Sequence, residues 1–298
     1  AFINGVTVGR GANSVAGNTS LGDDALDAAV TGDKNTAVGF EALTANTSGA
    51  RNTSVGSESL ESNTTGTDNT ALGRGTLSSN VSGSFNTAIG KSALTVNTAN
   101  NNTAVGHQSL DANTTGTNNV AVGMDSLTAN TEGHSNTAVG SEAGDALTTG
   151  DENVALGHGA LDGTTTGNGN TAVGTDALGK SDYNASYNTA VGYNAMLNAT
   201  TATGTTAIGT QALNTLISGI DNTAVGSAAL YSNTTGTKNT AVGRETLHAN
   251  TTGTENTALG YVALQDNTTG VNNVALGRAA IGNNIDGNNN SAVGHNAL

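Results

Sequence analysis

Asn222-Thr-Ala-Val-Gly-Ser-Ala-Ala-Leu-Tyr-Ser-Asn-Thr-Thr-Gly-Thr-Lys238 is followed at once by Asn239-Thr-Ala-Val-Gly, the same five residues that open it. Numbered 1 to 17 from its Asn, this unit recurs with position 1 at residues 18, 35, 52, 69, 86, 102, 119, 136, 153, 170, 188, 205, 222, 239, 256, 273 and 290. The seventeen copies are spaced by 17 residues, apart from one interval of 16 before Asn102 and one of 18 before Asn188. A period held this closely marks stacked structural repeats. Residues 1–17 read as a degenerate lead-in coil and residues 18–298 as a continuous solenoid, with one irregular zone at 179–204.

Every unit carries Gly and a segment rich in Thr and Asn, all poor helix formers, and no apolar spacing of 3.6 residues is sustained. Strands fit. The expected fold is all-β, a parallel β-solenoid. Its coil has a strand at positions 1 to 4, a Gly corner at 5, a second strand near 7 to 10 and an Asn-Thr-Thr-Gly turn. Gly at positions 5 and 15 is expected to supply positive φ. With about 4.8 Å per coil, seventeen coils predict a rod on the order of 80 Å. Stacking sets identical residues above one another, so Asn at positions 1 and 12 can form amide ladders.

Alternate residues of a strand face opposite sides. Position 3 is Ala in every copy but those with Ser20 and Ser54, as suits a narrow interior. Position 4 then faces outward, and it is aliphatic throughout: Leu21, Val38, Val55, Leu72, Ile89, Val105, Val122, Val139, Leu156, Val173, Val191, Ile208, Val225, Val242, Leu259, Leu276 and Val293. An exposed stripe of this kind needs covering. Its simplest cover is the same stripe on other copies of the chain, so a homo-oligomer, a trimer, is expected, with these residues as its interface. The inverse parity, with position 4 filling the coil, would move that interface by one residue.

Composition narrows the function. The 298 residues include 42 Gly, no Pro, no Cys, no Trp and 3% aromatic residues, too few large side chains for a wide core. Nine Lys and Arg against 23 Asp and Glu leave a net charge of -14, which disfavours nucleic acid and anionic lipid as partners. No stretch approaches a membrane span of about 20 apolar residues. The first residue is Ala1, which suggests a processed or trimmed chain, and a chain without Cys fits an extracellular protein.

The sequence holds no nucleophile elbow, zinc-type His spacing or phosphate loop, so neither an enzyme nor a cofactor is expected. The five His are dispersed at 107, 134, 158, 248 and 295. His107, His158 and His295 share position 6 with Arg74, Lys91, Arg244 and Arg278, while Arg10 follows the equivalent Gly of the lead-in and position 7 often carries Asp or Glu. This reads as an exposed charge ladder whose pairs are worth about 0 to 1 kcal/mol each. Clusters such as Asp23-Asp24 and Asp151-Glu152 do not recur as a calcium ligand set would. The irregular zone holds Tyr183, Tyr187 and Tyr193. These form a candidate ligand patch for sugars or partner proteins, or alternatively a loop bulge packed over Met196 and Leu197.

The units Asn-Thr-Ala-Val-Gly and Ala-Leu-x-x-Asn-Thr-Thr-Gly, with the lead-in Ile3-Asn4-Gly5-Val6-Thr7-Val8-Gly9-Arg10-Gly11, resemble repeats of bacteriophage tail-fibre proteins and of secreted bacterial fibre proteins. More loosely, Asn119-Val120-Ala121-Val122-Gly123 and Asn153-Val154-Ala155-Leu156-Gly157 are similar to the heads of trimeric autotransporter adhesins. The resemblance implies an extracellular trimeric rod that connects or attaches. A structural fibre is therefore expected. The alternatives are an adhesin module that recognises a cell-surface receptor, glycan or matrix protein, and ice binding through the Thr row of position 2. No polar cap is legible at either end of the repeat array, so flanking domains or end-to-end stacking into a filament are expected to cover its edges.

Overall fold

The computed structural model describes residues 2–3, 6–180 and 184–298. Among the described residues there is no helix, and a three-residue strand at positions 2 to 4 recurs in every coil, from Thr19–Leu21 to Ser291–Val293. The chain divides into two compact units, Ala1–Thr149 and Gly150–Leu298. In the first, strands of successive coils pair in parallel and in register, Thr36 opposite Thr53 and Val38 opposite Val55. In the second they pair likewise, Thr223 opposite Thr240 and Val225 opposite Val242. Each unit is a parallel β-solenoid with coils of about 17 residues, as the period predicts.

The interior is filled from positions 1, 3, 8, 9 and 12. In the coil that begins at Asn35, those residues are Asn35, Ala37, Ala42, Leu43 and Asn46, all fully buried. The strand parity is the one expected, with position 3 inside and positions 2 and 4 outward. Small residues at 3 and 8 let opposite walls approach, and one Leu per coil fills the remaining width.

The position 1 amides hold the stack together. Asn69 Nδ2 donates to the Gly83 carbonyl of its own coil at 2.8 Å and to Asn52 Oδ1 at 3.1 Å. Its own Oδ1 accepts the backbone N–H of Asn86 at 3.0 Å. A buried backbone N–H that no strand partner reaches is thus met by the side chain one coil away. Position 12 makes a second, shorter ladder: Asn63 Nδ2 donates to Asn46 Oδ1 and to the Gly66 carbonyl, at 2.9 and 3.1 Å. Both ladders follow the sequence expectation.

Two expectations are corrected. The first is the second strand, because positions 6 to 11 are a turn. Positions 7 and 9 lie in the left-handed region, as at Glu58 (φ 59°) and Leu60 (φ 50°), each at a cost of about 1 kcal/mol or more for a residue with a Cβ. Hydrogen bonds between coils support them. The Glu58 N–H donates to Phe40 in the coil before at 2.9 Å, and the Leu60 N–H donates to Thr76 in the coil after at 2.9 Å. An extended strand here would carry the chain straight on. The left-handed residues bend it back and deliver Leu60 to the core.

The second correction concerns glycine. Position 5 has the expected positive φ, 139° at Gly56, and a Cβ there would lie 2.6 Å from the carbonyl carbon of Gly73 in the next coil. Position 15 does not have positive φ. Gly116 is required for closeness instead, since a Cβ there would run into the Gly133 carbonyl oxygen and come within 2.9 Å of Asn119 Nδ2.

The unit that reads Gly144 for Leu keeps its register. Gly144 holds the left-handed position 9 (φ 62°), and Leu147 is fully buried at position 12, where other coils bury Asn. The lead-in lies along the first strand of the repeat array. Strands β1 (Phe2–Ile3) and β2 (Val6–Gly9) pair antiparallel, and β2 runs antiparallel along β3 (Thr19–Leu21), with Val8 opposite Leu21.

Length variation is absorbed beside the position 15 turn. In the 16-residue unit the Ala99 carbonyl takes the glycine's role, accepting from Asn86 Nδ2 at 2.8 Å. In the 18-residue unit the Ala185 carbonyl does so for Asn170 at 2.7 Å.

Candidate functional site

The outward face of the strands is the first candidate. Each coil presents one residue from position 2 and one from position 4, and the in-register pairing makes each position a column. None of these residues is charged in any copy. Position 2 is Thr in thirteen of seventeen coils, and position 4 supplies the aliphatic ridge. In the first unit Leu72 is 46% exposed and in the second Leu259 is 50% exposed. All the position 4 residues predicted for an interface stand on this face at the end of their strands. The Gly of position 5 terminates each strand, so the ridge ends sharply at a corner.

The face is bordered by position 17 on one side and position 6 on the other. Position 17 carries exposed side chains in left-handed conformation, and neighbours pair up the column. Arg51 meets Asp68 through Nε and Nη2, at 2.6 and 2.7 Å. That guanidinium holds the Asp68 carboxyl below its ordinary range. Lys238 and Glu255 stand 4.0 Å apart in the same column of the second unit.

Position 6 carries the predicted basic ladder, and the structure resolves it into distinct contacts. His107 lies 3.9 Å from Asp125, and Arg74 lies 3.5 Å from Glu58. Arg244 and Arg278 flank the Tyr261 ring, each 5.8 Å from its centroid. Residues 17 apart stack elsewhere too: Tyr231 and His248, at position 10, are parallel with ring centroids 5.2 Å apart. Sequence reasoning noticed the basic residues but missed the aromatic ones between them. The 17-residue spacing was the available signal.

The tyrosine patch is not brought together by the described residues. Tyr183 lies outside them. Tyr187 is at position 17, against Gly169 of the coil before, and Tyr193 is at position 6, beyond the opposite end of the strand Thr189–Val191. Both are exposed, whereas Met196 is fully buried.

Two rows of hydroxyls were also missed. Thr76 Oγ1 and Ser109 Oγ, at position 8, donate to the position 5 carbonyls of Gly73 and Gly106 at 3.0 and 3.1 Å. Position 13 threonines such as Thr64 and Thr251 donate to a carbonyl of the next coil, at 3.0 and 3.1 Å. These hydroxyls have structural partners.

Among the described residues, no three His, Asp or Glu side chains gather as a metal would require, and no helix is long and apolar enough to cross a membrane. A cleft of about 450 Å³ beside the lead-in is lined by Arg10, Ser14, Asp23, Asp24 and Asp27 among others. Compared with known proteins, the chain matches no family model, no curated protein and no solved structure.

Proposed function

We propose that this chain is a structural subunit of an extracellular fibre, in which three copies bury their outward strand faces against one another. The observation that carries this reading is the uncharged two-column face of positions 2 and 4, with its exposed ridge of Val, Ile and Leu. A ridge repeating at about 4.8 Å is matched in period by another chain with the same rise, and a copy of this chain has it. No charge on the face opposes its burial against another copy, since burying an unpaired charge is costly. The resemblance to fibre and adhesin repeats supports three as the number of chains. Lateral assembly is favoured over end-to-end stacking because β2 already lies along β3.

Val225→Asp and Ser227→Asp test the reading, since they add the same charge at the ridge and beyond the Gly corner. The mass of the intact assembly, measured by light scattering, is expected to be that of three chains for the parent and for Ser227→Asp. Val225→Asp is expected to give single chains or a much weaker assembly. A monomeric parent, or two variants equally assembled, sinks the proposal.

A further inference from the structure

The chain's cations are concentrated where its acids are not. Position 6 carries Arg74, Lys91, Arg244, Arg278 and three of the five His, against one carboxylate, Asp23, in a chain of net charge -14. In the second unit the column ends in Arg244, Tyr261, Arg278 and His295, one per coil and all exposed. The two guanidiniums flank the Tyr261 ring, and Arg278 Nη1 donates to His295 Nε2 at 3.2 Å. Arg244 has a carboxylate, Glu245 at 2.7 Å. The position 7 neighbours of the other three are Val262, Ala279 and Asn296, and among the described residues no carboxylate lies in salt-bridge reach of Arg278.

We propose that Arg244, Tyr261, Arg278 and His295 form a binding strip for a linear acidic glycan, one with a carboxylate or sulfate on about every second sugar. Each member of the strip offers a hydrogen-bond donor: the guanidinium N–H groups, the phenol O–H and the imidazole N–H. Carboxylate and sulfate oxygens accept such bonds, and planar guanidinium suits them best. The two arginines stand two coils apart, about 10 Å at the spacing of a β-ladder, which is the reach of two linked sugar rings in an extended chain. Stacking on Tyr261 holds both cations at that spacing before the ligand arrives, which lowers the ordering cost of binding. Duplex DNA fits less well. It carries a charge about every 1.7 Å, and so dense a polyanion is repelled by the acidic remainder of the chain. The strip lies beyond the Gly corner that ends the position 4 ridge, and the proposal does not depend on lateral assembly.

The experiment is calorimetric titration of the full chain with a hyaluronan octasaccharide, whose carboxylate recurs once per disaccharide. A neutral chitin hexasaccharide, a poly-Glu peptide and a 20-nucleotide single strand serve as comparisons. The octasaccharide is expected to bind, more weakly as salt rises. Arg278→Gln is expected to weaken it at least tenfold and Tyr261→Ala severalfold, while Arg51→Gln leaves it unchanged. The mass of the Arg278→Gln assembly is expected to equal the parent's, which separates this proposal from the fibre reading. No binding of the octasaccharide, equal binding of the neutral glycan, preference for the peptide or the nucleic acid, or an unaffected Arg278→Gln would each overturn it.

Discussion

The coils that begin at Asn52 and Asn69 and those that begin at Asn188 and Thr205 build the same cross-section from different chemistry. In the first pair, positions 1 and 12 are all Asn, and two amide ladders run through the interior. In the second pair, position 12 is Ala199 and then Leu216, both fully buried, and position 1 of one coil is Thr205. The backbone hardly registers the change at position 12. It does register the one at position 1, where Asn222 N–H reaches Thr205 Oγ1 at 3.4 Å instead of an amide oxygen at the usual 3.0 Å. The two ladders therefore differ in kind. Position 1 supplies the acceptor for a backbone N–H of the next coil, whereas position 12 donates to the Gly carbonyl of its own turn and to its own ladder, and its oxygen serves only side-chain donors.

Where the position 12 ladder stops, its last oxygen is left over. Asn130 Oδ1, facing the coil of Leu147, and Asn80 Oδ1, facing the shortened coil of Asn97, are buried without a hydrogen-bond partner. The native fold already tolerates this, so a break in position 12 should be mild. A break in position 1 should not. Asn69→Leu would strip the Asn86 N–H of its partner and remove the bonds to Asn52 and Gly83. It is expected to cost about 3 kcal/mol, from one buried donor left unmet plus the bonds lost. Asn63→Leu would strand Asn46 Oδ1, a side-chain atom, and is expected to cost about half as much or less. Denaturant midpoints of the two variants check the ordering, and equal losses would erase the distinction between the ladders.

Repairing the weaker region is the converse test. Thr205→Asn would offer an amide oxygen to the Asn222 N–H and an amide N–H to the Gly219 carbonyl, as Asn222 does to Gly236 at 2.8 Å. Asn136 and Leu147 are both buried in one coil, so an Asn at position 1 and a Leu at position 12 fit together. A stabilisation of about 1 kcal/mol is expected, seen as a higher melting temperature.

The smallest effect belongs to Asp145, in the coil where Leu147 replaces the amide. Burial raises its carboxyl above the ordinary 3.8, and Glu142 and Asp125 push it further up. The folded chain therefore binds this proton more tightly than the unfolded chain. Stability falls as pH rises through that window and stays lower above it. Asp145→Asn is expected to raise the melting temperature slightly at neutral pH. The gain should vanish below the ordinary carboxyl range, as melting curves across pH would record.

Much of this was legible because the period repeats local facts. Seventeen Gly at position 5, small residues at position 3 and aliphatic residues at position 4 specify strand and corner without reference to distant contacts, while the burial of position 3 in the structure chooses between the two parities. The left-handed turn was not legible at positions 7 and 9. Glu58 and Leu60 adopt it for the sake of hydrogen bonds to Phe40 and Thr76, 18 and 16 residues away, and no local preference of Glu or Leu announces that. The candidate strip divides the same way, since Arg244, Arg278 and His295 were visible as members of the position 6 ladder, while Tyr261 gains its place from the stacking of coils.

The sequence by itself determined the coil length, the amide ladders and which face of each strand is apolar, because all three follow from alternation and repetition along the chain. The tertiary structure decided that Gly116 serves closeness rather than φ, that Leu147 replaces an amide without shifting register, and that β2 turns antiparallel along β3. Each of those depends on what the neighbouring coil places within a few ångströms, and a single unit does not contain that information.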